Sequence, residues 1–358
     1  MTEYLSNKIR TISFFAILLV YLQHSINFTG YIDPGSLFIG QGNFNSIIQY
    51  IVGYGFARPA VAVFFLLSGF LFFRNFVLAK TFEKYRSRFR SLFIPYILWN
   101  TIALLFIIGL QLIPAIQTNI ASFYTGYLPG RTLQEYVQIV INHGVAFQLW
   151  FLYDLMLYAL FAPVIYLAVR YLSLFLIIPL CFVWLFRVPL PPLFSFLDRG
   201  GLFYLIGAYL AMHPISVSAV ASKKAFSLVG FFWGTVLIIK TCIAFIPGSY
   251  TAYLPMIDNL AIVLGLLTIW FSYDTFANSR LIFWLGGQAM FTFFIYAAHE
   301  PLLEVMKYAG VTIMGNSNAS LLVFYFIVPI VTYVFCVGVA KLGKKYTAVL
   351  YAILTGGR

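Results

Sequence analysis

The sequence predicts an all-α polytopic membrane protein, a bundle of about ten transmembrane helices forming a single domain over residues 1–358. Three observations predict it. The chain is 62% hydrophobic and only 9% charged, against roughly 25% charged residues in an ordinary soluble domain, so a water-facing fold could not hide its apolar surface. Ten apolar runs approach the ~20 residues that a bilayer crossing needs. The cations gather between those runs, and mostly at one set of ends, as in loops held on the cytoplasmic side.

That placement also decides the meaning of the charge. Twenty-two basic against ten acidic residues leave a net charge of +12, which invites a nucleic-acid partner. Cations placed at the ends of apolar runs point to membrane lipids instead, and nucleic acid is excluded. Cys181, Cys242 and Cys336 each sit alone in an apolar run, a spacing that fits neither a disulfide framework nor a metal set.

In order, the expected spans are 11–28, 58–73, 91–113, 147–169, 172–188, 200–212, 225–246, 257–273, 281–303 and 319–340. The fifth and sixth are the weakest, because Arg187-Val188-Pro189-Leu190-Pro191-Pro192 interrupts them. Ten crossings put both termini on one side. Lys8, Arg10, the cations of residues 80–90, Lys223, Lys224, Arg280, Lys341, Lys344 and Lys345 fall there, whereas Arg58, Arg131, Arg187, Arg199 and Lys307 lie at opposite ends. The bias makes the termini cytoplasmic. Polar Gln23-His24-Ser25-Ile26-Asn27 follows the first run in place of a small-residue cleavage site, so the first span is expected to remain uncleaved.

The first span organises the rest. It carries Arg10 at one end and His24 near the other, and in a helix these lie ~21 Å apart along the axis and only ~40° apart around it. An ionisable group in such a segment usually faces a protein interior or a wet cavity. On the outer side, residues 29–57 hold the turn signal Asp33-Pro34-Gly35 and then Ile47 to Val52, a short interfacial helix. In the second outer segment, 114–146, Thr132-Leu133-Gln134-Glu135 has the capping-box pattern. It opens an amphipathic surface helix that stops near Asn142-His143-Gly144, either a lid or a packing loop. On the inner side, residues 80–91 form a loop with five cations, including Arg86, Arg88 and Arg90. Such a loop can anchor to anionic headgroups or bind phosphate.

Few residues in the spans can carry chemistry. His24 can take a proton at neutral pH. His299 and Glu300 end the ninth run, at a depth comparable with His24. Arg58 stands at the outer mouth, where it could orient a carbonyl, a sugar or an acid, or reach headgroups. Asp154, inside the fourth run, is expected to pair with an arginine or histidine, and Lys240, in the seventh, to snorkel outward.

These residues sit in motifs that resemble the acyltransferase-3 family of bacterial integral membrane O-acyltransferases. Phe15 to His24 resembles the family's apolar helix ending in histidine, and Arg58 to Phe70 its arginine, apolar run and Phe-Phe-x-x-Ser-Gly signature. Lys84 to Pro95 resembles its basic inner loop, Leu149 to Leu155 its Trp-Phe-Leu segment, and Ile295 to Pro301 its late Tyr-x-x-His. One departure stands out. The family usually has arginine eleven residues before the histidine, where this chain has Ser13, with Arg10 one turn earlier.

The resemblance implies an enzyme of the bacterial plasma membrane that takes an acyl group, commonly acetyl, from cytoplasmic acyl-CoA to a glycan hydroxyl at the outer face. His24 would act as general base or carry the acyl group, with Arg10, Arg58 and His299 completing the catalytic set. Arg86, Arg88 and Arg90 would meet the donor's phosphates, and Trp150, Asp154 and Glu300 the substrate. No permanently bound cofactor or metal is expected. A transporter or flippase for a lipid-linked sugar is the alternative, its buried charges lining a path.

Overall fold

Several helices begin at a recognisable local signal. Helix α1 (Glu3–His24) starts where the Thr2 hydroxyl accepts the Leu5 N–H, and ends where the Ser25 hydroxyl donates to the Tyr21 carbonyl at 2.6 Å. Asn43 and Ser46 form a capping box that opens α2 (Phe44–Gln49), and a π-helical stretch, Tyr50–Phe56, leads on towards α3 (Pro59–Phe73). The segment expected as a separate interfacial helix is therefore part of a 30-residue apolar helix, Phe44–Phe73. Similarly, α4 (Thr81–Arg88), a π-helical stretch Phe89–Phe93 and α5 (Ile94–Gln111) run together, so the cationic segment expected as a loop is helical. The Thr132–Glu135 capping box opens α6 (Leu133–Ile141), as its spacing predicts.

Helices α7 (Trp150–Leu160) and α8 (Ala162–Leu172) form a pair bent by 68°. Pro163, which lacks the N–H an unbroken helix would need, stands at the break. Then come α9 (Leu174–Leu185), α10 (Leu202–Met212), α11 (Lys223–Phe245) and α12 (Leu254–Phe276). After α13 (Arg280–Gln288), a 3-10 turn leads to α14 (Thr292–Ala298), followed by α15 (Leu302–Met314), α16 (Asn318–Tyr346) and α17 (Ala348–Leu354).

This computed structural model describes residues 1–27, 42–114, 126–142, 145–191, 200–213, 215, 217–246 and 249–357, and among them there are helices and no strands. The Asp33-Pro34-Gly35 turn and His143-Gly144 lie outside the described residues. Seven helices are long and apolar enough to cross a membrane, or eight if the bent pair is one crossing. The expected count of ten is thus approximate. Helix α9 has 12 residues and α10 has 11, and at ~1.5 Å per residue neither alone traverses a ~30 Å hydrocarbon layer.

The chain forms two compact units. The first contains Met1–Leu78, Pro163–Thr292 and Met314–Ile327; the second contains Ala79–Ala162, Phe293–Ile313 and Val328–Arg358. Within the first, α3 and α10 meet backbone to backbone. A Cβ on Gly69 would stand 2.1 Å from the Tyr204 carbonyl oxygen, and one on Gly207 2.1 Å from that of Leu66. Only glycine permits this approach, a common device of helix packing in membranes.

Helix α1 is tied to α12 in the same unit. Lys8, 1% exposed, donates to both carboxylate oxygens of Asp274 at 2.7 and 2.8 Å, and Asp274 also accepts from the Tyr4 hydroxyl at 2.6 Å and the Ala221 N–H at 2.9 Å. Lys8 lies over the Trp270 ring as well, 4.1 Å from its centroid. In the second unit, Trp99 donates to the Leu354 carbonyl at 3.0 Å and packs edge-on against Phe294, which stacks on Tyr351. Helix α17 is thereby docked on α5.

Candidate active site

In the first unit, the end of α1 is held by an amide clasp. The Asn27 N–H donates to Gln49 Oε1 at 3.0 Å, while Gln49 Nε2 donates to Asn27 Oδ1 at 2.8 Å and to Asn45 Oδ1 at 2.7 Å. Ile26 packs beside it in a cluster with Tyr50, Tyr54, Ala244, Leu254 and Tyr325. His24, half-buried and last in α1, therefore stands at the end of the unit where α3 and α12 begin and α11 finishes.

That end contains a buried ion network. Asp258 accepts from Arg58 Nε at 3.3 Å on one oxygen and from Lys240 Nζ on the other. Lys240 also donates to the Tyr54 carbonyl and lies 5.3 Å from the Tyr50 ring centroid. The π-helical stretch explains the Tyr54 contact. In an i to i+5 pattern this carbonyl would take the N–H of residue 59, and Pro59 has none; the ammonium donates to it. Lys240 is 0% exposed, so it does not snorkel as its position in the run suggests. Beside Asp258, Asn259 accepts from Arg187 Nη2 at 3.1 Å and donates to the Trp184 carbonyl at 2.6 Å.

In the second unit, His299 is buried and its Nδ1 lies 2.6 Å from the Tyr296 carbonyl oxygen. A carbonyl cannot donate, so Nδ1 carries the proton and Nε2 holds the lone pair of the neutral ring. This tautomer suits a proton acceptor better than an oxyanion donor. Gln148 braces the turn: its Nε2 donates to the carbonyls of Ala297 at 3.0 Å and Glu300 at 3.2 Å, and its backbone carbonyl accepts from the Tyr296 hydroxyl at 2.7 Å. Both donor contacts go to carbonyl oxygens, which fixes the amide's orientation. Oε1 of Gln148 is then a buried acceptor with no hydrogen-bond partner among the described residues. Glu300 and Asp154 are buried and Trp150 is half-buried.

The three inner arginines do not share a face. Arg86 and Arg90 are exposed, one helical turn apart, whereas Arg88 is half-buried. Arg10 is exposed too, and the buried cation of that helix is Lys8. Sequence reading missed Asp258, Asp274, Lys8 and Gln148. An acid inside an apolar run, as at Asp258, was the available signal; Gln148 offered none.

The comparisons with known proteins agree with this arrangement of motifs. Succinoglycan biosynthesis protein ExoH from Rhizobium meliloti (strain 1021) is 26% identical over 332 residues, covering 90% of this chain and 85% of that protein. No solved structure matches the chain. The profile of the family described as "Acyltransferase domain" matches residues 9–341, a stretch that includes every motif from His24 to His299, and the chain therefore belongs to the acyltransferase-3 family.

Proposed function

We propose that the protein transfers an acyl group from acyl-CoA, bound on the cytoplasmic side, to a hydroxyl of a glycan at the outer face of the bacterial plasma membrane. Membership of the family over residues 9–341 carries the reading, and a relative named for succinoglycan biosynthesis supports a glycan acceptor. Acetyl is the simplest acyl group for the donor to carry.

His24 is the first candidate base and His299 the second. A basic imidazole nitrogen takes the proton of the acceptor hydroxyl as its oxygen attacks the thioester carbonyl. The new C–O bond forms, the C–S bond breaks, and the thiolate leaves to be protonated as coenzyme A. His299 favours this step, since its Nδ1–H is committed to Tyr296 and Nε2 is left basic. Arg58, steadied by Asp258, can donate to the oxyanion that develops. Gln148 Oε1 offers an acceptor for a sugar hydroxyl. Exposed Arg86 and Arg90 and half-buried Arg88 are the cations available to donor phosphates.

The test is acyl incorporation into glycan by membranes carrying His24→Ala or His299→Ala, each confirmed as folded and inserted. Loss in both variants is expected. Full incorporation by either removes that histidine from the chemistry. Translocation of a lipid-linked sugar in proteoliposomes without an acyl donor would replace the reading with transport.

A further inference from the structure

We propose that Arg58 and Arg187 form a binding site for a phosphate oxyanion at the end of the first unit where α1 finishes. Their partners, Asp258 and Asn259, are consecutive residues of α12. Each guanidinium is held through one nitrogen, Nε of Arg58 and Nη2 of Arg187. Each also reaches the surface: the Arg58 side chain is 29% exposed and Arg187 is exposed.

Charge points the same way. Among the described residues, Arg58 and Lys240 both contact the single carboxylate of Asp258, and a third cation, Arg187, is held by the next residue, Asn259. Lys240 is already committed to Asp258 and Tyr54, so among the described residues the unmatched charge lies on the two arginines. Arginine's planar fork matches pairs of oxygens. Two forks offer more donors than the two oxygens of one carboxylate can use, and a phosphate has more oxygens to give.

The backbone at Arg187 adds an independent observation. Helix α9 ends in a Schellman motif, in which the Val188 N–H donates to the Val183 carbonyl at 2.9 Å and the Arg187 N–H to the Trp184 carbonyl at 3.3 Å. Arg187 occupies the left-handed position of that motif, at φ 54°, where glycine is the usual residue because it has no Cβ to strain. Exposed arginine gains nothing there from burial. What the side chain does gain is the bond to Asn259, which itself is pinned to Trp184. A strained backbone position occupied by a long, anchored, accessible cation is the pattern expected of a binding residue.

The phosphate could come from an anionic phospholipid headgroup, since the site lies where helices end, or from a soluble phosphate compound. Purified full-length protein in neutral detergent is melted with inorganic pyrophosphate and, separately, with phosphatidylglycerol or phosphatidylcholine added. Ligand-dependent stabilisation of the wild type is expected, by phosphatidylglycerol alone if the source is a headgroup and by pyrophosphate as well if it is not. Arg187→Gln should raise the apparent Kd ~10-fold or more, the weight of one charge-assisted hydrogen bond. Arg187→Gly separates binding from structure. It relieves the left-handed strain and, like Arg187→Gln, gives up the bond to buried Asn259, so without ligand it should melt no lower than Arg187→Gln, and it should likewise lose the ligand shift. A wild type that responds to neither anion, or shifts of wild-type size in both variants, would overturn the site. Neither probe carries an acyl group, so the result is independent of acyl transfer.

Discussion

Replacing Lys240 with methionine should destabilise the protein by about 3–5 kcal/mol, the usual cost of removing one partner of a buried ion pair. The structure shows where the cost arises. Lys240 is 0% exposed, so water cannot take over its contacts. Asp258 would keep Arg58 at 3.3 Å as its remaining side-chain donor among the described residues. The Tyr54 carbonyl would lose its hydrogen bond from the ammonium, and a hydrogen bond to a charged group is worth roughly 1.5–3 kcal/mol. The retained contact of Arg58 with Asp258 and the better solvation of methionine in an apolar setting offset part of the loss, which holds the sum in the stated range. Because the penalty comes from leaving a buried charge unmatched, Lys240→Met combined with Asp258→Asn should cost less than the two single changes added together, by about 2 kcal/mol. Reversible unfolding in mixed detergent micelles, run as a double-mutant cycle, measures both quantities. A single variant within about 1 kcal/mol of wild type, or an additive double variant, would mean that the network does not hold this end of the unit together.

Gly69→Ala should cost about 1–3 kcal/mol by overpacking, since its new methyl would lie 2.1 Å from the Tyr204 carbonyl oxygen. Gly109→Ala, which meets nothing within 4 Å, should instead be neutral or stabilise by up to about 1 kcal/mol; equal effects in the same unfolding assay would contradict the close helix approach. Lys8→Met should cost about 3 kcal/mol by stranding the buried Asp274 carboxylate, while Arg10→Gln, at an exposed site, should change stability by less than ~0.5 kcal/mol. The reverse order of those two melting temperatures would assign the clamp to the wrong cation. Hydrogen bonds from the Thr132 hydroxyl and N–H hold the Glu135 carboxyl below the ordinary glutamate range. Its stabilisation of α6 is therefore full above the unfolded pKa of ~4.3 and is lost as pH falls through the lower folded value. Amide exchange at Thr132 should accelerate, relative to the rest of α6, across that acidic window in the wild type but not in Glu135→Gln.

Local information carried the reading of class and of most helix positions. Apolar run length set the membrane class, and the Thr132-to-Glu135 spacing announced α6, because hydropathy and capping act over a few residues. Motif order likewise carried the family, since His24, Arg58 and His299 keep their places along the chain. Packing settled what neighbours in sequence could not. Asp258 meets Arg58 across 200 positions and Lys8 meets Asp274 across 266. Hydropathy reports how deep a residue sits, but neither which way it points around its helix nor what waits there. For that reason Lys240 is buried when its run suggested snorkelling, and Arg10 is exposed while Lys8 is not. It is also why an unremarkable glutamine, Gln148, braces the turn that orients His299. The lone pair on that imidazole depends on one carbonyl three residues away in sequence, and on the fold that turns the ring towards it.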